Sequence, residues 1–357
     1  MRNIFLIAGA RPNFMKIAPL HRALTSRGVA CTLVHTGQHY DQNMSDVFFK
    51  QLNIPAPDIN LGIGAGDRIE QSHRVMKQLV PLLEEKRPDA VLVVGDVTST
   101  AAAAMAGCMA GIPVIHVEAG LRSGNLKMPE EHNRMIADHL SQFCFVTEPV
   151  GMKNLRFEGI SESRAFFVGN VMIDTLRNVE TLLSPTLLDT YGVKPSEYAV
   201  LTMHRPETVD DEALLRLMCE TLGEIGRKTK IIFPMHHRMR MKLDEFNIPF
   251  PEHIMILEPV GYIEMLTLVK HAKYVLTDSG GLQEETTIFG VPCVTMRDQT
   301  ERPITCEVGT SEIVGRDPAK IHDAVNRILS GKWKTGRIPD LWDGRAAERI
   351  ADILHNA

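Results

Sequence analysis

Short runs of β-branched and aliphatic residues, each followed by an amphipathic stretch of helical length, repeat from one end of the chain to the other. That alternation marks parallel α/β units, in which a strand covered on both faces reads as near-continuous apolar sequence and its crossover helix carries one apolar stripe. In the first half the pattern predicts strands near 3–8, 31–35, 90–94, 113–117, 143–147 and 165–168. A helix is predicted over 67–86, opening at Gly64-Ala65-Gly66-Asp67 and stopping before Pro88. The second half repeats the theme, with strands near 198–203, 229–234, 254–257, 273–277 and 292–295. Between the halves the pattern pauses at Leu183-Ser184-Pro185 and Tyr191-Gly192-Val193-Lys194-Pro195, which sets a junction at about 170–195. The fold class expected is therefore α/β, with two facing Rossmann-like domains built on parallel sheets, 1–175 and 176–342. A final helix in 343–357 carries the apolar positions Ala347, Ile350, Ala351 and Leu354, which need a partner surface.

Composition changes this picture little. At 357 residues the chain exceeds the ~250–300 at which single cores usually split, and 44% apolar with 23% charged residues is ordinary for a globular protein. A formal net charge of −5 argues against a general binder of nucleic acid or membrane surface, which needs a basic face. No stretch approaches the ~20 apolar residues of a membrane-spanning helix. The short apolar run after Arg2 is ended by a Gly-Ala-Arg-Pro turn, so it does not read as a signal peptide. Cys31, Cys108, Cys144, Cys219, Cys293 and Cys306 form no CxxC pair and read as reduced thiols of a cytoplasmic protein.

In open α/β sheets, ligands bind beyond the carboxyl ends of the strands, and there the chemistry-bearing residues cluster. After the first strand comes Gly9-Ala10-Arg11-Pro12-Asn13-Phe14-Met15-Lys16, without the GxGxxG fingerprint of a dinucleotide site. Arg11 at the turn and Lys16 a helical turn on could clamp a phosphate, or could be exposed cations at a helix start. The strand Val91-Leu92-Val93-Val94 stops at Gly95-Asp96, where Asp96 is either an acid/base group or the cap of the 98–111 helix. A third strand end carries Glu118, and a glycine-flanked loop leads to Pro129-Glu130-Glu131 and Arg134. Acids set beside cations are how an enzyme separates carboxyl pKa values for acid and base duties, although Pro-Glu-Glu is also an ordinary helix start.

In the second half, His204-Arg205 follows a strand and offers a titratable donor beside a fixed cation, while His236-His237 follow the next. The sharpest motif is Thr277-Asp278-Ser279-Gly280-Gly281, a strand, a small polar turn and a helix start. It presents backbone N–H groups to an anion, with glycines that allow close approach of phosphate. Glu285, one turn on, could accept from ribose hydroxyls. Arg297 and Arg302 lie in the loop after the next strand, where they could grip sugar or phosphate or form ion pairs. No HExxH or paired CxxC spacing appears, so neither a metal nor a cofactor is expected.

As a set, Gly9-Ala10-Arg11-Pro12, Gly95-Asp96, His116-Val117-Glu118-Ala119-Gly120-Leu121-Arg122, Pro129-Glu130-Glu131, His204-Arg205, Asp278-Ser279-Gly280-Gly281 and Arg297-Asp298-Gln299-Thr300-Glu301-Arg302-Pro303 resemble the non-hydrolysing UDP-N-acetylglucosamine 2-epimerase family. The resemblance spans nearly the whole chain in order. It implies the GT-B architecture, a nucleotide held mainly by the second domain, a last helix returning to the first, and a homodimer. It also implies conversion of UDP-N-acetylglucosamine to UDP-N-acetylmannosamine through elimination of UDP to a 2-acetamidoglucal and re-addition.

By that likeness Asp96, Glu118 and Glu130 are the acid/base candidates, any of which could take the proton, and His204 stands near the leaving phosphate. Arg11, Arg134, Ser279, Gly280 and Gly281 would hold the diphosphate and Glu285 the ribose. Lys16, Arg205 and Arg302 belong to the same substrate site. Three positions depart from the family: Thr208 where Asn is common after His-Arg-x-Glu, Met265 where a ring often covers the base, and Tyr40 where substrate-activated members often carry Arg. Rival readings are a 2-epimerase of a UDP-linked diacetamido uronic acid, a hydrolysing 2-epimerase, a GT-B glycosyltransferase and a non-catalytic nucleotide-sugar sensor.

Overall fold

The protein is described here from a computed structural model covering residues 1–37 and 54–357, so Gln38, His39 and Tyr40 lie outside the described residues. The chain divides into two compact units, Met1–Asn178 with Asp340–Ala357, and Val179–Pro339.

The first unit holds a seven-stranded sheet of β1 (Asn3–Ala8), β2 (Ala30–His35), β3 (Ile59–Asn60), β4 (Ala90–Val94), β5 (Val114–Ala119), β6 (Phe143–Val146) and β7 (Ala165–Phe167). The spatial order is β3-β2-β1-β4-β5-β6-β7, and every pairing is parallel. β4 and β5 are buried along their whole length, which explains the uninterrupted apolar sequence of β4, whereas β5 carries His116 and Glu118 into the buried strand. Helix Thr98–Met109 buries a run of alanines, Ala101 to Ala104 and Ala106, against this sheet and helix Arg68–Lys86. Such small side chains let neighbouring backbones approach closely.

The final helix, Ala346–His355, packs on helix Arg11–Thr25 and buries Ala347, Ile350, Ala351 and Leu354. Each large aliphatic side chain buried there contributes ~1.5–3 kcal/mol of transfer free energy. Its start is held by Asp174, whose carboxylate accepts the N–H groups of Ala346 at 3.1 Å and Ala347 at 2.7 Å. Burial outweighs these bonds and pushes the Asp174 carboxyl up to about 6. Trp342 anchors the approach by donating its indole N–H to the Thr147 carbonyl at 2.9 Å.

The second unit carries β8 (Tyr198–Thr202), β9 (Lys230–Pro234), β10 (Met255–Leu257), β11 (Tyr274–Thr277), β12 (Cys293–Thr295) and β13 (Ser311–Ile313). Its order, β10-β9-β8-β11-β12-β13, is again wholly parallel. Both sheets thus reverse their strand order between a first strand and a fourth, at β1/β4 and β8/β11. A doubly wound sheet opens a crevice beyond the strand ends at such a switch point. Gly9 and Gly95 follow one pair of strands, His204 and Asp278 the other. The pattern did not announce β3 and β13, edge strands of two and three residues that are too short for an apolar period to register. Among the described residues no helix is long and apolar enough to cross a membrane.

Candidate functional site

In the first unit the loops after β1, β4 and β5 are tied together by side chains. Asn13 accepts the N–H groups of Gly9 at 3.1 Å and Ala10 at 3.0 Å, and donates to the Val94 carbonyl at 3.0 Å. From the same helix, Lys16 forms an ion pair with Glu118, and both side chains are more than nine-tenths buried. Gly95 lies beside this pair with φ +65°, and a Cβ there would stand 2.9 Å from the Lys16 ammonium and 3.6 Å from the Glu118 carboxylate. The left-handed backbone therefore favours glycine, and a side chain there would also crowd the Lys16 ammonium. Arg11 opens the helix, but its side chain lies outside the described positions.

Asp96 does not cap the following helix. The N-cap is Val97, which makes no side-chain cap bond, while the Asp96 carboxylate accepts from the Arg134 Nε at 3.0 Å. Asn133 holds the Asp96 carbonyl at 2.8 Å. Arg134 also pairs with Glu131, which is buried and accepts the N–H groups of Ser123 and Gly124 at 2.9 Å and 2.8 Å. The Glu130 side chain, half-buried at the start of the same helix, makes no hydrogen bond or ion pair to another described residue. Lys16, Glu118, Asp96 and Arg134 thus meet around Gly95-Asp96, with the carboxylate of Asp96 reaching solvent more than that of Glu118.

Glu118 itself has φ +75°, at a point where the β5/β6 register shifts between Val117 and Ala119. A bulge re-aims the side chain it carries, and left-handed backbone at a non-glycine residue costs ~1–3 kcal/mol. That cost falls on a carboxylate at a strand end.

In the second unit Asp278 organises the turn. One carboxylate oxygen accepts the N–H groups of His204 and Arg205, each at 2.7 Å, and the other lies 3.0 Å from the His204 Nδ1. Burial would raise this carboxyl, but the bonds from His204 and Arg205 and the His204 charge hold it below the usual range. His204 is far more solvent-accessible than Asp278, with its ring 5.6 Å from that of His236. The Arg205 Nε is buried with no partner among the described residues.

Ser279 is the N-cap of helix Gly280–Phe289 and makes no side-chain cap bond, which leaves the first-turn N–H groups without a side-chain acceptor from the cap. A Cβ on Gly280 would stand 2.6 Å from Glu301 Oε1 and 2.7 Å from Arg302 Nη1, whereas one on Gly281 would meet nothing within 4 Å. Arg302 is spanned by Glu284 and Glu301, each at 2.5 Å, and Glu301 also accepts from Arg297 at 3.0 Å. The two arginines of this loop form a buried ion-pair cluster behind the glycine turn. Thr208 is buried, and Met265 packs half-buried against Leu268 and its neighbours.

Glu285 is buried beside Glu284. Burial first, and the neighbouring charge second, push its carboxyl from 4.5 up to about 8. The folded protein therefore binds this proton more tightly than the unfolded chain, so the group lowers stability as pH rises from 4.5 and ceases to do so above about 8. Relative to its value at pH 4.5, the stability advantage of Glu285→Gln over the unaltered protein is expected to grow by at most ~1.4 kcal/mol per pH unit and to level off once the folded carboxyl ionises. Urea unfolding at a series of pH values measures it.

A family profile described as UDP-N-acetylglucosamine 2-epimerase matches residues 22–355. The UDP-N-acetylglucosamine 2-epimerase of Methanocaldococcus jannaschii is 40% identical over 367 residues, which cover 98% of each chain. The chain belongs to the UDP-N-acetylglucosamine 2-epimerase family. The crystal structure of the M. jannaschii family member, in complex with UDP-GlcNAc and UDP, matches with a TM-score of 0.91 at 39% identity, over 99% of this chain and 100% of that one. A family structure from Neisseria meningitidis, bound to UDP-GlcNAc, matches with a TM-score of 0.89 at 27% identity over the full length of both. The two-sheet α/β fold is that of GT-B-like epimerases. A Pseudomonas aeruginosa relative, 37% identical over 98% of this chain and 99% of its own, is a UDP-2,3-diacetamido-2,3-dideoxy-D-glucuronate 2-epimerase.

Asn13, Glu284 and Asp138 were not singled out by sequence, and Glu131 was read only as one of two acids at a helix start. For Glu131, Arg134 and Asp138 a signal existed. They recur at i, i+3 and i+7 on helix Pro129–Leu140, the spacing of a buried stripe, yet all three are charged. A buried stripe of charge implies partners on the elements beneath it.

Proposed function

We propose that the protein interconverts UDP-N-acetylglucosamine and UDP-N-acetylmannosamine by eliminating UDP across C1–C2 and adding it back. The observation that carries this reading is the pair of carboxylates, Asp96 and Glu118, set with cations at the β1/β4 switch point of a family member whose second unit offers a glycine turn to phosphate.

C2 of the sugar has no adjacent carbonyl, so a lone proton abstraction would leave an unstabilised carbanion. If the C1–O bond breaks as the C2–H bond does, the electron pair forms C1=C2 and UDP leaves with the C1–O pair. The glycal then takes a proton on the other face of C2 while UDP returns to C1. Two faces require two proton carriers, and two carboxylates in unlike settings suit that need. In this reading Glu118, buried against Lys16, and Asp96, in reach of solvent, exchange the C2 proton, with Glu130 as the third acid/base group.

The leaving diphosphate gains charge as the bond breaks, so preorganised donors aimed at it lower the barrier. Gly280 and Gly281 supply N–H groups at the helix start beside the Ser279 hydroxyl, His204 and Arg205 lie in the loop after β8, and Arg11 and Arg134 add charge for the diphosphate, with Lys16 in the same substrate site. Glu285, neutral below about pH 8, hydrogen-bonds the ribose. Arg302, already spanned by two carboxylates, acts on the substrate by holding the Gly280 turn. The enzyme needs no metal or cofactor for this route and works in the cytoplasm as a homodimer.

A second sugar is favoured by one observation, the 37% identity to the diacetamido-glucuronate epimerase. Turnover of the two UDP-sugars side by side decides between them. UDP-N-acetylglucosamine is expected to have the higher kcat/KM, by ~10-fold or more. Faster turnover of the uronate would move the assignment to that substrate.

A further inference from the structure

Beneath the bulge that carries Glu118 lies a buried charge network that the epimerisation reading does not use. His116 is fully buried on β5, one strand residue from the bulge. Its Nδ1 is 2.6 Å from Asp138 Oδ1, and its Nε2 is 2.8 Å from the Gly95 carbonyl oxygen. A carbonyl can only accept. Asp138 is also held as an anion, since His116 and Arg122 overcome its burial and keep its carboxyl low. The ring thus bridges a backbone carbonyl on one side and a carboxylate on the other.

The second oxygen of Asp138 accepts the Gly120 N–H at 3.1 Å and pairs with Arg122 at 2.8 Å. Arg122 in turn grips Glu158 through two bonds, of 2.7 Å and 2.6 Å. Arg122 thus stands between two carboxylates, its fixed charge offsetting that of the buried Asp138. The placement matters because Gly95 and Gly120 flank the two proposed proton carriers. Gly95 precedes Asp96 and is held at both ends, its N–H by the Val117 carbonyl at 3.1 Å and its C=O by His116. Gly120 follows the bulge, two residues past Glu118. One ring and one carboxylate thus hold both strand ends at once.

We propose that His116, braced by Asp138, is a positioning residue for the epimerase reaction: its two hydrogen bonds lock the Gly95-Asp96 turn and the Glu118 bulge in one relative register. This rests on the acid/base reading above. A group that only stabilised the fold would affect melting and leave turnover of the folded protein unchanged, whereas a positioning group affects kcat with little change in KM.

The test uses His116→Phe, which keeps ring volume and removes both ring nitrogens, and His116→Gln, which can restore one of the two contacts. For folded His116→Phe, kcat with UDP-N-acetylglucosamine is expected to fall ~100-fold while KM and the Kd for UDP stay within a few fold, and His116→Gln is expected to recover part of the loss. Backbone amide exchange at Gly95, Asp96 and 118–120 is expected to quicken in both variants, with the rest of the sheet unchanged. Folded His116→Phe with wild-type kcat overturns the proposal, as does unchanged exchange at those amides. Should His116→Phe fail to fold, His116→Gln and Asp138→Asn carry the same two readouts. A wild-type protein with no epimerase activity on any UDP-sugar sinks the acid/base reading instead, and the amide exchange still decides whether His116 locks the two turns.

Discussion

Glu118→Gln and Asp96→Asn are each expected to lower the rate of C2 proton exchange on UDP-N-acetylglucosamine by ~10²–10⁴-fold while the protein still binds UDP. The two should differ in their effect on the fold. Glu118 is buried against Lys16, so its replacement leaves a buried ammonium without its counter-charge and should also lower the unfolding midpoint. Asp96 is partly solvated and shares Arg134 with Glu131, so its loss leaves the guanidinium still paired and the fold nearly untouched. Asp96→Asn is therefore the cleaner probe of chemistry, and Glu118→Gln must be assayed at a temperature where circular dichroism shows it folded. Wild-type turnover in both folded variants would remove these carboxylates from the acid/base assignment.

The second large effect separates two adjacent glycines. Gly280→Ala places a methyl group against the buried Glu301 and Arg302, a cluster fixed by Glu284 and Arg297, so the turn must move to accommodate it. Overpacking of that kind costs ~1–3 kcal/mol, and because the turn itself moves, affinity for UDP is expected to fall along with stability. Gly281→Ala meets no protein atom within 4 Å. Its unfolding midpoint is expected to match wild type, so that any loss of UDP affinity reports on the approach of the ligand alone. Calorimetric titration with UDP, paired with thermal melts, distinguishes the two. Equal stability in Gly280→Ala and wild type would show that the cluster behind the turn yields, against the rigid arrangement described.

Much of the fold was legible because both sheets are parallel and covered on both faces, so that β4, β8 and β11 are written as apolar runs ending in polar residues. The strand ends also gave most of the candidate groups, because in such sheets the chain turns from buried to functional at one residue: Val94 to Gly95, Thr277 to Asp278. What stayed hidden was partnership. Asp96 reads locally as a helix cap, and only the approach of helix Pro129–Leu140 turns it towards Arg134. Arg302 reads equally as a substrate cation or an ion-pair member, and only the fold names its partner, bringing Glu284 from a helix 18 positions earlier to meet it. The bulge at Glu118 leaves no mark in a sequence that alternates as any strand does, since it is a property of the β5/β6 register.

The central claim is that this family member removes the C2 proton and restores it with UDP still in play. Incubation with UDP-N-acetylglucosamine in deuterium oxide, followed by proton NMR, tests it most directly. The account predicts deuterium at C2 in both UDP-N-acetylglucosamine and UDP-N-acetylmannosamine, with the UDP linkage intact in each. Free N-acetylmannosamine accumulating beside UDP, or saturable binding with no C2 deuterium, would contradict it.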